Sequence, residues 1–231
     1  MLIQGYQKTT LLDYPGKVAS TVFTGGCNFR CPYCHNGHLV LNSHQEPTIP
    51  METIITHLKK RQKVLEGVCI SGGEPTLQQD LISFIQQIKE MSLKVKLDTN
   101  GSHPDLLKEL LEKKLVDYVA MDIKNSFKKY PKTIGVLDFD CSKIKISSSL
   151  LMEQSIPYEF RTTIVKELHQ EEDLFQIGEW LKGASAYFLQ QYKESPYQIQ
   201  KGFTPYSKET LHAFAEKLQP FFQSVGIRGV D

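Results

Sequence analysis

The chain has 231 residues, of which 27 are Lys or Arg and 26 Asp or Glu, so its formal net charge of +1 attracts no polyanion and argues against nucleic acid as a partner. A composition of 40% hydrophobic, 10% aromatic and 23% charged residues excludes disorder as the main theme and supplies material for a sizeable core. No run approaches the roughly 18 consecutive apolar residues of a membrane span, and residues 1–8 lack the basic cap and apolar stretch of a secretory leader, so the reading is a cytoplasmic protein with no membrane partner.

Apolar runs bounded by turn signals, taken in chain order, predict a strand at 18–24, a helix at 51–65, a strand at 67–71, a helix at 77–91, a strand at 94–98, a helix at 104–114, a strand at 117–122, a helix at 141–154, a strand at 158–165, a helix at 171–181, a strand at 186–191 and a helix at 208–223. Six β-α units in alternation imply a parallel sheet with right-handed crossovers, either an open sheet or a barrel. No Gly/Ser-rich or Pro-rich linker and no repeat divides the chain, which reads as one domain over 1–231. Residues 125–140 read as the loosest part, with Lys128-Lys129-Tyr130-Pro131-Lys132 a solvated basic loop. In both architectures ligands gather at the carboxyl ends of the strands, so function is sought in the segment just after each strand.

The first predicted strand is followed by Thr24-Gly25-Gly26-Cys27-Asn28-Phe29-Arg30-Cys31-Pro32-Tyr33-Cys34-His35-Asn36. Three of the five cysteines fall within eight residues, a spacing poor for a disulfide framework and suited to wrapping a metal group. Thiolates on one loop can hold three irons of a cubane and leave a fourth iron open to a substrate. A Cys3His zinc site using His35 is the plainer reading, although adjacent Cys34 and His35 would struggle to face one ion. Cys69 and Cys141 have no cysteine neighbours and read as small core residues.

The C-x-x-x-C-x-x-C loop resembles that of the radical S-adenosylmethionine (SAM) superfamily, in which three cysteines hold a 4Fe-4S cluster and the fourth iron binds the amino and carboxylate groups of SAM. Lys8-Thr9-Thr10-Leu11-Leu12-Asp13-Tyr14-Pro15-Gly16-Lys17 before the loop and Cys34-His35-Asn36 at its end narrow the resemblance to the activating proteins of anaerobic ribonucleoside-triphosphate reductase. It extends from about residue 6 to 191. It implies a partial (β/α)6 TIM-like barrel, with Cys27, Cys31 and Cys34 as cluster ligands and Tyr33 and Asn36 of the same loop among the cofactor-binding residues.

The other strand ends fit this frame. Ser71-Gly72-Gly73-Glu74-Pro75-Thr76 places two glycines where backbone can approach a ligand, or where a tight turn simply precedes a helix. Beside the cysteine loop it resembles the Gly-Gly-Glu-Pro motif that receives the amino group of SAM, which implicates Gly72, Gly73 and Glu74. The third strand ends in Asp98-Thr99-Asn100-Gly101 and the fourth in Asp122-Ile123-Lys124. Strand alternation puts Ala120, Asp122 and Lys124 on one face, which is expected to line the cleft. Lys124 is a candidate partner for the SAM carboxylate, and oxygens of Asp98, Thr99 and Asp122 are candidate ligands for a hard cation, against the competing role of helix caps. Similar segments in glycyl-radical-enzyme activases, including the position of Asn100, contact SAM and a monovalent cation. On the fifth strand Arg161 shares a face with Glu159 and Thr163 and is a candidate for the SAM ribose or carboxylate, or else a salt-bridge partner of Glu159 or of a neighbouring strand.

The resemblance implies reductive cleavage of SAM to methionine and a 5′-deoxyadenosyl radical that abstracts hydrogen from a glycine of a partner enzyme, anaerobic ribonucleotide reductase, with a flavodoxin- or ferredoxin-like electron donor. A partner loop is expected to meet the rim near 125–132. The alternatives are a radical SAM enzyme acting on a small molecule, such as a 7-carboxy-7-deazaguanine synthase, and a zinc-stabilised binding module.

Overall fold

A computed structural model describes residues 1–230, with eight strands in one sheet that follow the order of the sequence. They are β1 (Ile3–Thr10), β2 (Ala19–Thr24), β3 (Gly67–Gly72), β4 (Lys94–Thr99), β5 (Tyr118–Asp122), β6 (Tyr158–Ile164), β7 (Tyr187–Gln191) and β8 (Val225–Arg228). Neighbours from β2 to β8 are parallel, whereas β1 runs antiparallel to β2. Strands β1 and β8 end the order without pairing, so the sheet is a barrel left open along one seam. The helices are α1 (Gly37–Leu41), α2 (Met51–Arg61), α3 (Leu81–Glu90), α4 (Pro104–Glu112), α5 (Tyr130–Ile134), α6 (Ser142–Met152), α7 (Glu171–Trp180) and α8 (Lys208–Leu218).

The alternation of side chains explains why this sheet has two unlike faces. Outward positions such as Val68, Ile70, Val95, Leu97, Val119, Met121, Phe160 and Leu189 are fully buried and form one core with Ile54, Leu58, Phe84, Ile88, Leu110, Ile144, Ile177 and Leu211 of the helices. Each such side chain contributes about 1.5–3 kcal/mol of transfer free energy, so this layer holds the fold. Inward positions carry Lys96, Asp98, Tyr118, Asp122, Glu159, Arg161 and Arg228, joined to one another across the strands. At the end of the barrel opposite the cysteine loop, Tyr14 is buried against Gly67 and Tyr118 and forms part of the floor.

Six predicted strands and six predicted helices correspond to observed elements, with corrections at their ends. Strand β1 is not among the predicted strands because Ile3-Gln4-Gly5-Tyr6-Gln7-Lys8-Thr9-Thr10 is too polar to show an apolar run, and its pairing with β2 is broken by two register shifts. Strand β8 replaces the end of the helix predicted over 208–223: α8 stops at Leu218, a 3-10 turn covers Gln219–Phe221, and a four-residue strand comes next. Helix α2 stops at Arg61 rather than 65, and α3 starts at Leu81, preceded by a 3-10 turn at Pro75–Leu77. The largest correction concerns 125–134, the first part of the segment read as loosest, which is packed, whereas 135–140 are mostly exposed. Asn125, Ser126, Tyr130, Thr133 and Ile134 are buried, Asn125 donates to the Thr133 hydroxyl and the Leu168 carbonyl, Lys129 pairs with Asp173, and Phe127 packs on Trp180. Of the expected basic loop only Lys128 and Lys132 are exposed.

The short edge strand β8 is anchored by Arg228, whose guanidinium donates twice to Glu159, at 2.5 and 2.8 Å, and lies 3.7 Å over the Phe188 ring. Glu159 is fully buried and also accepts from Tyr118. Burial pushes its carboxyl up, but Arg228, Tyr118 and Arg161 outweigh burial and hold it below the usual range. Its stabilisation is therefore complete above the unfolded value near about pH 4.3 and is lost as pH falls through the folded value. Removing one partner of a buried pair costs about 3–5 kcal/mol. Arg228 is a third exposed and Tyr118 and Arg161 remain, so Arg228→Ala is expected to cost about 2–3 kcal/mol at pH 7 and to flatten the acid decline. Guanidinium denaturation across a pH series measures both.

Candidate active site

A cleft of about 180 Å³ opens at the carboxyl ends of β2 to β6. The cysteine loop forms one side. It is fixed to the barrel rim by Gly25, whose N–H donates to the Leu2 carbonyl, and by Gly26, which donates to Leu39, both at 2.8 Å. Cys27, Cys31 and Cys34 all line the cleft, whereas Cys69 lies inside the barrel below it and Cys141 sits at the start of α6. Burial pushes the thiols up, Cys27 to about 11 with Glu74 adding to the rise, Cys31 to about 12, and Cys34 in the same direction. Lys124 opposes the shift at all three, joined by the Phe29 N–H at Cys27 and the Asn36 N–H at Cys34, so these groups favour thiolates here.

The donor set fits an iron-sulfur cluster. Among the described residues no three His, Cys, Asp or Glu side chains are gathered closely enough to hold a single ion. Three sulfurs spread around one cleft suit a cubane with one cysteine per iron, and not a tetrahedral zinc with every sulfur at about 2.3 Å. His35 lines the same cleft but belongs to no such group among the described residues; it is an exposed residue whose ring packs 5.8 Å from Tyr192.

The Gly-Gly-Glu segment lies against this loop. A Cβ on Gly73 would stand 2.0 Å from the Gly26 carbonyl oxygen, and one on Gly72, whose φ is +115°, would stand 2.3 Å from the Thr24 nitrogen. Both glycines line the cleft, yet the loop contact alone already requires them. Glu74 departs from the expected role. It is fully buried and does not face the cleft; one carboxylate oxygen accepts from the Thr76 N–H, the Thr76 hydroxyl and the Thr99 hydroxyl, and the other accepts from the Asn100 N–H at 2.6 Å. Burial raises its carboxyl against these four hydrogen bonds. Glu74 thus ties the end of β3 to the end of β4. Asn100 continues the tie, donating to Asn28 at 3.0 Å and to the Cys27 sulfur at 3.8 Å.

The floor of the cleft is a ladder of alternating charge. Lys96 pairs with Asp98, Arg161 reaches Asp98 at 3.3 Å and Asp122 at 2.9 Å, and Lys124 pairs with Asp122 at 3.0 Å. Burial pushes Asp122 up, but Arg161 and Lys124 outweigh it and hold it down at about 2; Asp98 is lowered in the same way, against burial, by Arg161 and Lys96. Burial lowers Lys124 and Arg161, and their carboxylates raise both above their ordinary values. Arg161 lines the cleft and is also a salt-bridge partner, chiefly of Asp122 and Asp98 on the neighbouring strands and, at 4.0 Å, of Glu159 on its own. Asn36 donates to the Gly72 carbonyl at 3.1 Å, and the buried Tyr33 leaves its hydroxyl without a partner at the cleft wall. Sequence reasoning missed Lys96 and Ser71, which hold Asp98 from below and beside it; the signal available was that Lys96 shares a strand face with Asp98.

Residues 21–143 match the radical SAM superfamily. A protein of Methanocaldococcus jannaschii named as a glycyl-radical enzyme activating enzyme is 34% identical over the whole of this chain and 97% of its own length. The chain belongs to the radical SAM superfamily. It falls in the glycyl-radical activase family, and its cofactors are accordingly a 4Fe-4S cluster and SAM. The pyruvate formate-lyase-activating enzyme of Streptococcus mutans is 29% identical over 78% of the chain and 72% of that protein. A radical SAM methyltransferase from Sphaerobacter thermophilus superposes with a TM-score of 0.74 at 14% identity, covering 94% of this chain and 68% of that one. SuiB of Streptococcus suis, solved with S-adenosylmethionine, gives 0.70 at 16% identity over 88% of this chain and 48% of its own. These structures share the fold. The chain spans about half the length of SuiB and nearly all of the archaeal relative.

In this radical SAM cleft Glu74 acts through the loops it joins. Buried donors left unpaired cost about 1–3 kcal/mol each, less where water enters. Glu74→Ala is therefore expected to destabilise the protein by about 3 kcal/mol and Glu74→Gln, which keeps one acceptor oxygen, by about half as much. Thermal unfolding measures the difference.

Proposed function

We propose that this enzyme generates a glycyl radical on anaerobic ribonucleotide reductase, acting as one radical SAM domain over 1–231 in the cytoplasm with a flavodoxin- or ferredoxin-like donor. The observation that carries the reading is the meeting, in one cleft, of three cysteines on the β2 loop and the Asp122/Lys124 strand end. Cys27, Cys31 and Cys34 would hold the cluster. Backbone groups of Gly72 and Gly73 would receive the SAM amino group, Lys124 and Arg161 would face its carboxylate or ribose, and Tyr33 and Asn36 would bound the pocket. When bound, cluster and SAM supply the one-electron cleavage chemistry. The chain's own residues orient SAM, keep the cleft dry and lend it positive charge at the ammonium of Lys124. The unpaired edges of β1 and β8 leave the barrel open on the side where a partner's glycyl loop would enter.

The choice of reductase rests on the resemblance of residues 8–17 and of Cys34-His35-Asn36. Residues 8–17 lie at the opposite end of β2 from the cysteine loop, with Asp13 accepting from Thr21 and Tyr14 buried in the floor, so their contribution is to the barrel rather than to the cleft. The Streptococcus mutans relative named above is an activating enzyme of pyruvate formate-lyase, and the test therefore includes that lyase. Anaerobic incubation with SAM and reductant is expected to give a glycyl radical by electron paramagnetic resonance in the ribonucleotide reductase. A radical only in the lyase reassigns the partner; none in either, with turnover of a pterin-like compound, reassigns the enzyme to small-molecule chemistry.

The site assignment has its own test. Iron loading after anaerobic reconstitution should fall in Cys27→Ala, Cys31→Ala and Cys34→Ala and persist in Cys69→Ala and Cys141→Ala. Lys124→Ala should keep its iron and bind SAM about ten- to hundredfold more weakly by calorimetry, the size of a lost charge-assisted contact. Wild-type affinity in that variant would remove Lys124 from the SAM site.

A further inference from the structure

The oxygen atoms expected to hold a hard monovalent cation beside SAM are already committed. One Asp98 oxygen accepts from the Lys96 ammonium and the other from the Ser71 hydroxyl at 3.2 Å and Arg161 at 3.3 Å. One Asp122 oxygen accepts from Arg161 at 2.9 Å and the other from Lys124 at 3.0 Å. The Thr99 hydroxyl donates to Glu74 at 2.8 Å and accepts from the Gly101 N–H at 3.1 Å. An oxygen-coordinated ion would have to share a carboxylate with an ammonium or a guanidinium, setting like charges side by side.

Charge points the same way. Lys96, Arg161, Lys124 and Arg228 meet Asp98, Asp122 and Glu159 in one connected ladder, which leaves one positive charge over. That local excess suits a ligand carboxylate; a further cation at Asp98 and Asp122 would stand against Lys96, Arg161 and Lys124, which those carboxylates already hold. Lys96 is the unusual member. Its side chain is 2% exposed, and its ammonium, 3.7 Å from the Cys69 sulfur, finds its only ion-pair partner among the described residues in Asp98. A buried ammonium held by one carboxylate is not readily exchanged for a dissolved ion, because leaving it unpaired costs several kcal/mol.

We infer that Lys96 is a built-in substitute for the monovalent cation: it is a positioning residue that holds Asp98 and, through Arg161, the Asp122/Lys124 strand end, so that SAM binding here requires no sodium or potassium. This rests on SAM occupying the cleft as proposed above.

The experiment is calorimetric titration of the reconstituted enzyme with SAM in tetramethylammonium buffer and again with tetramethylammonium replaced by sodium or potassium at equal ionic strength. The wild type is expected to bind equally in all three, and the 23Na line width of the enzyme with SAM to match that of a sodium-free-site control protein. In Lys96→Met, a neutral side chain of similar length, affinity in tetramethylammonium should drop about tenfold, one lost charge contact, and sodium or potassium should restore it while iron content stays unchanged. Tighter wild-type binding in sodium or potassium by about tenfold, or broadening of the 23Na line on adding SAM, overturns the inference. So does a folded Lys96→Met whose affinity is full in tetramethylammonium. If Lys96→Met does not fold, the wild-type titration and line width decide alone. Failure of the wild type to bind SAM in any buffer overturns the site reading as well, which separates the two.

Discussion

The guanidinium of Arg161 lies between the carboxylates of Asp98 and Asp122, so strands β4, β5 and β6 are tied together at the depth where the cleft begins. The polar groups directly above that level follow from the bridge. Lys124 stands two residues beyond Asp122 and projects from the same face, with its carbonyl held by His169 at 2.7 Å. Asn100 stands two residues beyond Asp98 and reaches the cysteine loop. The bridge in turn depends on parallel register, which sets Asp98 beside Ala120 and Asp122 beside Arg161, and a one-residue slip would turn these charges into the helix layer.

A packed closed barrel fills its interior with branched apolar side chains. This one carries charge there and puts its apolar mass outside, between sheet and helices. The division is consistent energetically: each inward ion has a partner of opposite sign, and the outward rows supply the burial that stabilises the fold. The same division leaves a charged interior in contact with an open seam, where a filled apolar barrel would leave neither space nor field for a charged ligand.

Much of this was legible in the residues themselves. The cysteine spacing, the Gly-Gly turn and the alternation through Asp122-Ile123-Lys124 each report local geometry, and all three meet in the cleft. What escaped depends on tertiary partners. In Lys94-Val95-Lys96-Leu97-Asp98 the two lysines look alike, but only Lys96 points inward; Lys94 is at the strand's start, half in solvent beside Asp117. Glu74 looked like a cleft residue because it follows the Gly-Gly turn that lines the cleft, and its burial under the loop has no local signature. Residues 125–140 looked mobile from their lysines and turn residues, while Tyr130 and Ile134 dock 125–134 to the barrel end.

The contact between the Gly73 segment and the Gly26 carbonyl bears on how variation in this family should be interpreted. Evolutionary drift at Gly72 is blocked by the end of β2, and at Gly73 by the neighbouring loop, before any ligand is considered. Invariance of these glycines across homologues would therefore measure how closely two backbones approach, and would persist in a descendant that had lost SAM binding but kept the barrel. Retention of Lys124 and of the three cysteines carries the opposite information, since burial of these groups has no packing reason to favour a charge or a thiol. Sorting active from degenerate members of the family by the glycine motif would overcount the active ones.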